Sequence, residues 1–174
     1  SLPSDSNLNP KHDVASNLIG TLNLLDASVL NDVQKFVFIS SGGTVYGKPI
    51  NVPILESHPT DPTCSYGINK LAIEKYLALY RSLYQLNCTI LRLANPYGER
   101  QRVNSSQGVV PVFLNRAIHG LPSEVWGDGS VVRDFLYISD VVDAIIKSCT
   151  YTGDDIVFNI GSGNGTSLIQ LINI

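Results

Sequence analysis

Three short, continuous apolar runs constrain this chain most: KFVFIS at 35–40, CTILRL at 88–93 and IVFNI at 156–160. Each is rich in β-branched or aromatic residues, the pattern of a strand buried on both faces. Helical patterns separate them. Strands alternating with helices imply parallel βαβ units, so the expected class is α/β.

Residues 1–12 are polar, carry Pro3 and Pro10, and read as loop. Asp13 is a candidate N-cap for a helix to about Leu30, whose stripe is Leu18, Leu22, Leu25 and Val29. Residues 41–63 read as loop. A long helix is predicted over 65–86, apolar over most of its girth, which implies burial on more than one side; a subunit interface is one explanation. Residues 94–107 read as polar loop, and 108–119 as a helix that tolerates Pro111 in its first turn. A short extended piece surrounds Trp126, and Gly127-Asp128-Gly129 turns the chain. FLYI (135–138) leads to a helix opened by Ser139 or Asp140 and running to about Ser148. Residues 161–165 read as loop, with a last helix from Thr166 or Ser167.

The 174 residues are 44% hydrophobic and 16% charged, enough apolar material for a core. A net charge of −3 without a basic stripe argues against a nucleic-acid partner. No apolar run approaches the roughly 18 residues of a membrane span, so no membrane partner is expected. Cys64, Cys88 and Cys149 form no CxxC pair, which suggests neither zinc nor a disulfide framework. Cys88 and Cys149 lie in apolar contexts and read as buried. His12, His58 and His119 are scattered, so no metal is expected. The chain contains no Met, not even at its start, and reads as a piece of something longer.

The chemistry begins after the first run. The chain reads SSGGTVYG (40–47), and then YGINK brings Tyr66 and Lys70. Residues four apart share a helix face. An ammonium there can lower the phenol pKa from its usual value of about 10. The phenolate is then a general base near neutral pH. Hydroxyls at the carboxyl end of the preceding strand would share the substrate's proton, and that end of an open parallel sheet is where ligands bind. Taken alone, the Tyr–Lys pair reads more readily as an ordinary helix-surface pair.

The strand, the loop ending TVYG, the YxxxK helix and the strand after it together resemble the extended short-chain dehydrogenases/reductases, in particular the NAD-dependent nucleotide-sugar epimerase/dehydratase family. The resemblance runs the whole length, through NLIGT (17–21), RLANPYG (92–98), WGDGSVVRDFLYISDVVDAI (126–145) and FNIGSG (158–163). It implies part of a doubly wound parallel Rossmann-type sheet over 1–106. Residues 107–174 would add to a small substrate lobe and the last Rossmann elements. It implies a cytoplasmic isomerase that interconverts UDP-hexose C4 epimers by transient oxidation at C4. Tyr66, Lys70 and Thr44 would be catalytic. Asn17, Ser40, Ser41, Leu93 and Ala94, with Tyr66 and Lys70, would touch NAD. Asn95 and Arg133 would hold the substrate diphosphate, where a guanidinium matches phosphate oxygens. Val109 and Trp126 would flank the uracil. A homodimer through helices 13–30 and 65–86 is also implied.

Each residue has a plainer alternative: Trp126 in a core, Arg133 paired with Asp134, Asn95 opening a turn, Thr44 bonded to backbone, Asn17 an ordinary first-turn residue. Two departures from the family pattern stand out. Gly42 occupies a position where the family commonly has Ser or Thr, leaving Thr44 or Ser41 to serve. The Gly-rich GxxGxxG turn that cradles a pyrophosphate is absent, and GSGNG (161–165) is no substitute. The chain therefore reads as the middle of an epimerase, with the catalytic residues but half a cofactor site, and the 174 residues by themselves are expected to be inactive. The alternatives are an inert fragment, a dimerisation or nucleotide-binding module, or a related reductase, decarboxylase or dehydratase. Dehydration is disfavoured because no carboxylate stands at Gly43 or Thr44.

Overall fold

The computed structural model describes residues 3–102, 108–125 and 127–174. In chain order the elements are α1 (Pro3–Leu8), α2 (Pro10–Asp13), a π-helical segment (Val14–Ile19), α3 (Gly20–Leu30), β1 (Phe36–Ser41), α4 (Ser65–Tyr84), β2 (Cys88–Leu93), β3 (Asn95–Tyr97), α5 (Val109–Ile118), β4 (Val132–Tyr137), α6 (Ile138–Thr150), β5 (Val157–Ile160), β6 (Gly165–Ser167) and α7 (Leu168–Ile172). They fall into two compact units, Ser1–Leu93 with Ala144–Ile160, and Ala94–Asp143 with Gly161–Ile174.

In the first unit β1, β2 and β5 form a parallel sheet in the order β1-β2-β5. All three predicted runs are strands, and their parallel pairing is the α/β arrangement expected. Burial on both faces holds only for the central β2, every residue of which is buried. Most of β1 and all of β5 are half-buried. Leu25 of α3, Ile73 and Leu77 of α4, Leu86, and Cys88 and Ile90 of β2 make the core. Cys149, read as buried, is exposed.

Residues expected as loop before Asp13 form two short helices. Asp13 is not an N-cap. Its backbone is helical, it caps nothing with its side chain, and Asn9 caps α2 instead by accepting from the His12 amide at 3.2 Å. Asp13 is buried, at 3% exposure. The helix predicted from 13 to 30 is interrupted by the π-helical segment, a feature frequent at functional sites.

The helix predicted over 65–86 ends at Tyr84, where Gln85 turns left-handed. Its buried face is Gly67, Asn69, Ile73, Glu74 and Leu77, whereas Ile68, Leu79, Leu83 and Tyr84 are exposed. Within this chain it is thus buried on one side, not more. The first amide groups of a helix lack intrahelical acceptors. Here α1 supplies them: the Ser65 amide donates to Asn7 Oδ1 at 2.9 Å and the Tyr66 amide to Ser6 Oγ at 3.0 Å.

In the second unit β4 lies between β3, parallel to it, and β6, antiparallel to it. The three residues of β3 fall inside the stretch expected as loop. β6 falls within the loop and helix start expected near 161–167. Ser167 caps α7 in a reciprocal box with Gln170. No helix among the described residues is long and apolar enough to cross a membrane.

Candidate active site

At the carboxyl end of β1 the residue pairing sets Ser40 beside Arg92 and Ser41 beside Leu93. Alternation along the strand then sends neighbouring side chains to opposite faces. Ser40 is buried and its hydroxyl donates to Glu74 Oε1 at 2.5 Å. Arg92 meets the same carboxylate through Nε at 3.1 Å and Nη2 at 2.5 Å, and donates through Nη1 to the Tyr46 hydroxyl at 2.7 Å. The Tyr46 hydroxyl donates onward to Asn159 Oδ1 at 2.7 Å. With its side chain so occupied, Ser40 offers a ligand its backbone alone.

Ser41 faces Tyr66. Burial pushes the Tyr66 phenol up from its ordinary value, and the Ser41 hydroxyl beside it acts in the opposite direction. The net direction is upward, contrary to the expectation that Lys70 lowers it. The reason is geometric. The Lys70 ammonium donates to the Ile39 carbonyl at 2.7 Å and lies over the Tyr66 ring, 5.6 Å from its centroid, and over Phe38 at 4.6 Å. It addresses the face of the ring. Burial holds Lys70 itself below its ordinary value, opposed by Glu74.

Thr44 stands in the turn after β1. Its hydroxyl oxygen is buried without a hydrogen-bond partner, so the backbone-bonded alternative does not hold. Such an orphan is costly and calls for a ligand or a role. Gly67 brings α4 against this turn: a Cβ there would stand 2.9 Å from the Thr44 carbonyl oxygen and 2.9 Å from Pro62 Cβ. Gly67→Ala should cost about 1–3 kcal/mol by overpacking, measured by urea unfolding. Gly42 is also constrained. Its amide donates to the Leu93 carbonyl at 2.8 Å, and a Cβ would lie 3.1 Å from that oxygen. A Ser or Thr at 42 would require the end of β2 to give way by a few tenths of an ångström.

Asn17 sits in the π-helical segment, not in an ordinary first turn, and donates to Asp13 Oδ1 at 2.7 Å. A cavity of about 50 Å³ lies there, lined among others by Asn17, Phe38, Tyr66 and Lys70. The fold thus gathers Asn17, Tyr66 and Lys70 around one space.

Leu93 ends β2 and is buried. The other expected site residues with described positions belong to the second unit. Ala94 is half-buried, and so is Val109, the first residue of α5. Asn95 donates to the Asp134 carbonyl at 3.2 Å from within β3, rather than opening a turn. Arg133 is exposed on β4 and donates to the Val132 carbonyl at 2.9 Å. The Asp134 carboxylate accepts from the Ser162 amide at 2.9 Å, the Ser162 hydroxyl at 2.7 Å and the Gly163 amide at 3.0 Å, so it holds the 161–163 loop. Trp126 lies outside the described residues.

A model of the NAD-dependent epimerase/dehydratase family matches residues 1–161. The chain belongs to that family. It is 40% identical over 162 residues to a UDP-glucose 4-epimerase of Mycolicibacterium smegmatis, covering 93% of this chain and 52% of the relative. It is 38% identical over 170 residues to a dTDP-4-dehydro-6-deoxyglucose reductase of Escherichia coli, covering 98% and 54%. Among solved structures, the UDP-glucose 4-epimerase of Thermotoga maritima with UDP-glucose superposes with a TM-score of 0.93 at 41% identity, covering 98% of this chain and 55% of the other. The Thermus thermophilus UDP-glucose 4-epimerase in complex with NAD gives 0.87 at 35%, covering 97% and 55%. The chain spans about half the length of these relatives.

Against this epimerase/dehydratase background, the residues that sequence reading missed are Asp13, Glu74 and Arg92. Arg92 had a faint signal, a charge set in an otherwise apolar strand, whereas Glu74, between Lys70 and Lys75, reads as an ordinary helix-surface charge. Asp13 had none, because an acidic residue after a polar stretch reads as a cap.

Proposed function

We propose that the protein is a nucleotide-sugar epimerase of the UDP-glucose 4-epimerase type, with Tyr66 as its proton acceptor and donor. The observation that carries this is the orphaned Thr44 hydroxyl in the turn beside Gly67, next in sequence to Tyr66. A sugar hydroxyl bonded to Thr44 and Tyr66 would satisfy that buried oxygen, so the residues present fit such a ligand. NAD, which the family's name and the Thermus thermophilus complex imply, would supply hydride uptake and return. Lys70 would hold its nicotinamide ribose, and Tyr66, Asn17, Ser41, Leu93, Ala94 and the Ser40 backbone would also touch it.

Tyr66 would take the proton of the hexose 4-hydroxyl as the C4 hydride departs, and return it after the keto-sugar has turned over. Ser41 supports the phenolate with a hydrogen bond, and Thr44 orients the hydroxyl. Asn95 and Arg133 would hold the diphosphate, and Val109 and Trp126 the uracil. The relatives named as UDP-glucose 4-epimerases support the epimerase reading, a 4-reductase stays its rival through the reductase relative, and the absence of a carboxylate at Gly43 and Thr44 disfavours dehydration.

A homodimer through helices 13–30 and 65–86 fits the same reading. Ile68, Tyr76, Leu79 and Leu83 recur on one face of α4 and are all exposed, as are Ile19 and Leu24 on the neighbouring helix. The deciding experiment is chemical. The purified protein is denatured, and the released ultraviolet-absorbing species is identified by chromatography and mass. NAD at close to one equivalent would support the epimerase and would mean that the pyrophosphate turn is supplied by protein outside these residues. No dinucleotide, and no binding when NAD is added, would sink catalysis by this chain alone.

A further inference from the structure

Three polar side chains of the first unit converge on one buried carboxylate that no reaction step uses. Asp13, 3% exposed, accepts from Asn17 Nδ2 at 2.7 Å through Oδ1, and from Asn69 Nδ2 at 2.7 Å and Ser65 Oγ at 3.1 Å through Oδ2. Asn69 is equally buried. The donors come from two elements. Asn17 belongs to the π-helical segment, whereas Ser65 and Asn69 belong to the first turns of α4. Ser65 directly precedes Tyr66, and Asn69 directly precedes Lys70. A buried carboxylate is tolerated only with such a set of donors.

We propose that Asp13 is a positioning residue, a bolt that joins the π-helical segment to α4 and so fixes Tyr66 and Lys70 around their cavity. The inference deepens the reading of Tyr66 as the acid–base residue and rests on it for its meaning, though not for its test. Asp13 acts through Asn17 on one side and through Ser65 and Asn69 of α4 on the other. Local packing alone would need no charge here, since an apolar residue fills a buried helix position at lower cost. A π-turn also sets Asn17 out of the regular helical register, and Asp13 takes up the amide so displaced through its carbonyl and its carboxylate.

The test reads the ionisation of the Tyr66 phenol, which is measurable whether or not the protein turns over any sugar. The groups facing Tyr66 are Ser41 from β1, Asp13 from α2, and Cys64 and Lys70 from its own stretch. Absorbance of tyrosinate is followed against pH in the purified protein, and the Tyr66 component is obtained by subtracting the Tyr66→Phe protein. In Asp13→Asn the negative charge is gone and the bolt is loosened, so Tyr66 gains water. Both changes favour phenolate, and its midpoint should fall toward the ordinary value. In the exchange variant Asp13→Asn/Asn69→Asp, donor and acceptor trade places across the same 2.7 Å contact, and thermal stability should recover most of what the single variant loses. If Asp13→Asn does not fold, Ser65→Ala removes one donor from a half-buried position and should move the midpoint the same way by less. An unchanged Tyr66 midpoint in whichever of these variants folds would overturn the proposal, even if stability falls. Failure to find NAD or epimerisation would leave this result standing and count only against the proposed function.

Discussion

Replacing Glu74 by alanine is expected to destabilise the protein by about 3–5 kcal/mol, because it strands a buried charge. Arg92 is 6% exposed and its guanidinium is shared between the Glu74 carboxylate and the Tyr46 hydroxyl. Without Glu74 the largely buried Arg92 loses its ion-pair partner, and Ser40 loses its acceptor as well. A domain's whole stability is only about 5–15 kcal/mol, so the variant should sit close to unfolding. Urea unfolding measures it. The arithmetic differs for the pair. Glu74→Leu with Arg92→Met removes both charges and roughly keeps the volume, and replacing a buried pair in this way is often neutral or better. The double variant should therefore be more stable than Glu74→Ala. If the single variant loses less than about 1 kcal/mol, the pair is not the buried lock described above.

The contrast between that lock and the neighbouring Tyr–Lys motif explains what the sequence could reveal. The strands were legible because CTILRL, KFVFIS and IVFNI are continuous apolar runs, and Arg92 did not hide β2. Tyr66 and Lys70 were legible because four residues on a helix make one face, and the preceding turn carried hydroxyls. Burial was less legible. Whether a strand is covered on both faces depends on what packs against the sheet, which the strand's own composition does not record, and β1 is half-buried despite its apolar run. α1 was missed because a short polar helix has no apolar stripe. Its Ser6 and Asn7 act on amides roughly 60 positions away in sequence. Asp13 was misread for a related reason: the local pattern of a cap and the tertiary pattern of a buried bolt begin with the same residue. The direction of the Tyr66 shift turns on burial, which spacing does not reveal. Spacing put the ammonium near the ring, but only the folded structure shows it bonded to the Ile39 carbonyl.

On the proposed function, Tyr66→Phe in the complete enzyme should reduce turnover of a UDP-hexose by about 10²- to 10⁴-fold or more, the usual contribution of a positioned acid–base group. The substitution removes one oxygen and keeps the ring over which Lys70 lies, so UDP affinity should stay within a few-fold of the parent. The pH profile makes the assignment specific. Burial raises the Tyr66 phenol in the structure without ligands, so the phenol is protonated at neutral pH and the phenolate fraction grows as pH rises. Second-order turnover should accordingly climb with pH above neutrality. The climb is opposed where Lys70, held low by its burial, begins to lose its proton. In Tyr66→Phe the climb should vanish along with the rate. Thr44→Val tests the partner hydroxyl separately. It removes an oxygen that has no partner in the protein, so it should leave stability unchanged or slightly raised while turnover falls. A Thr44→Val protein that loses stability but keeps full turnover would place that oxygen in the protein's own packing. A Tyr66→Phe protein with a normal rate and an unaltered pH profile would remove Tyr66 from the chemistry.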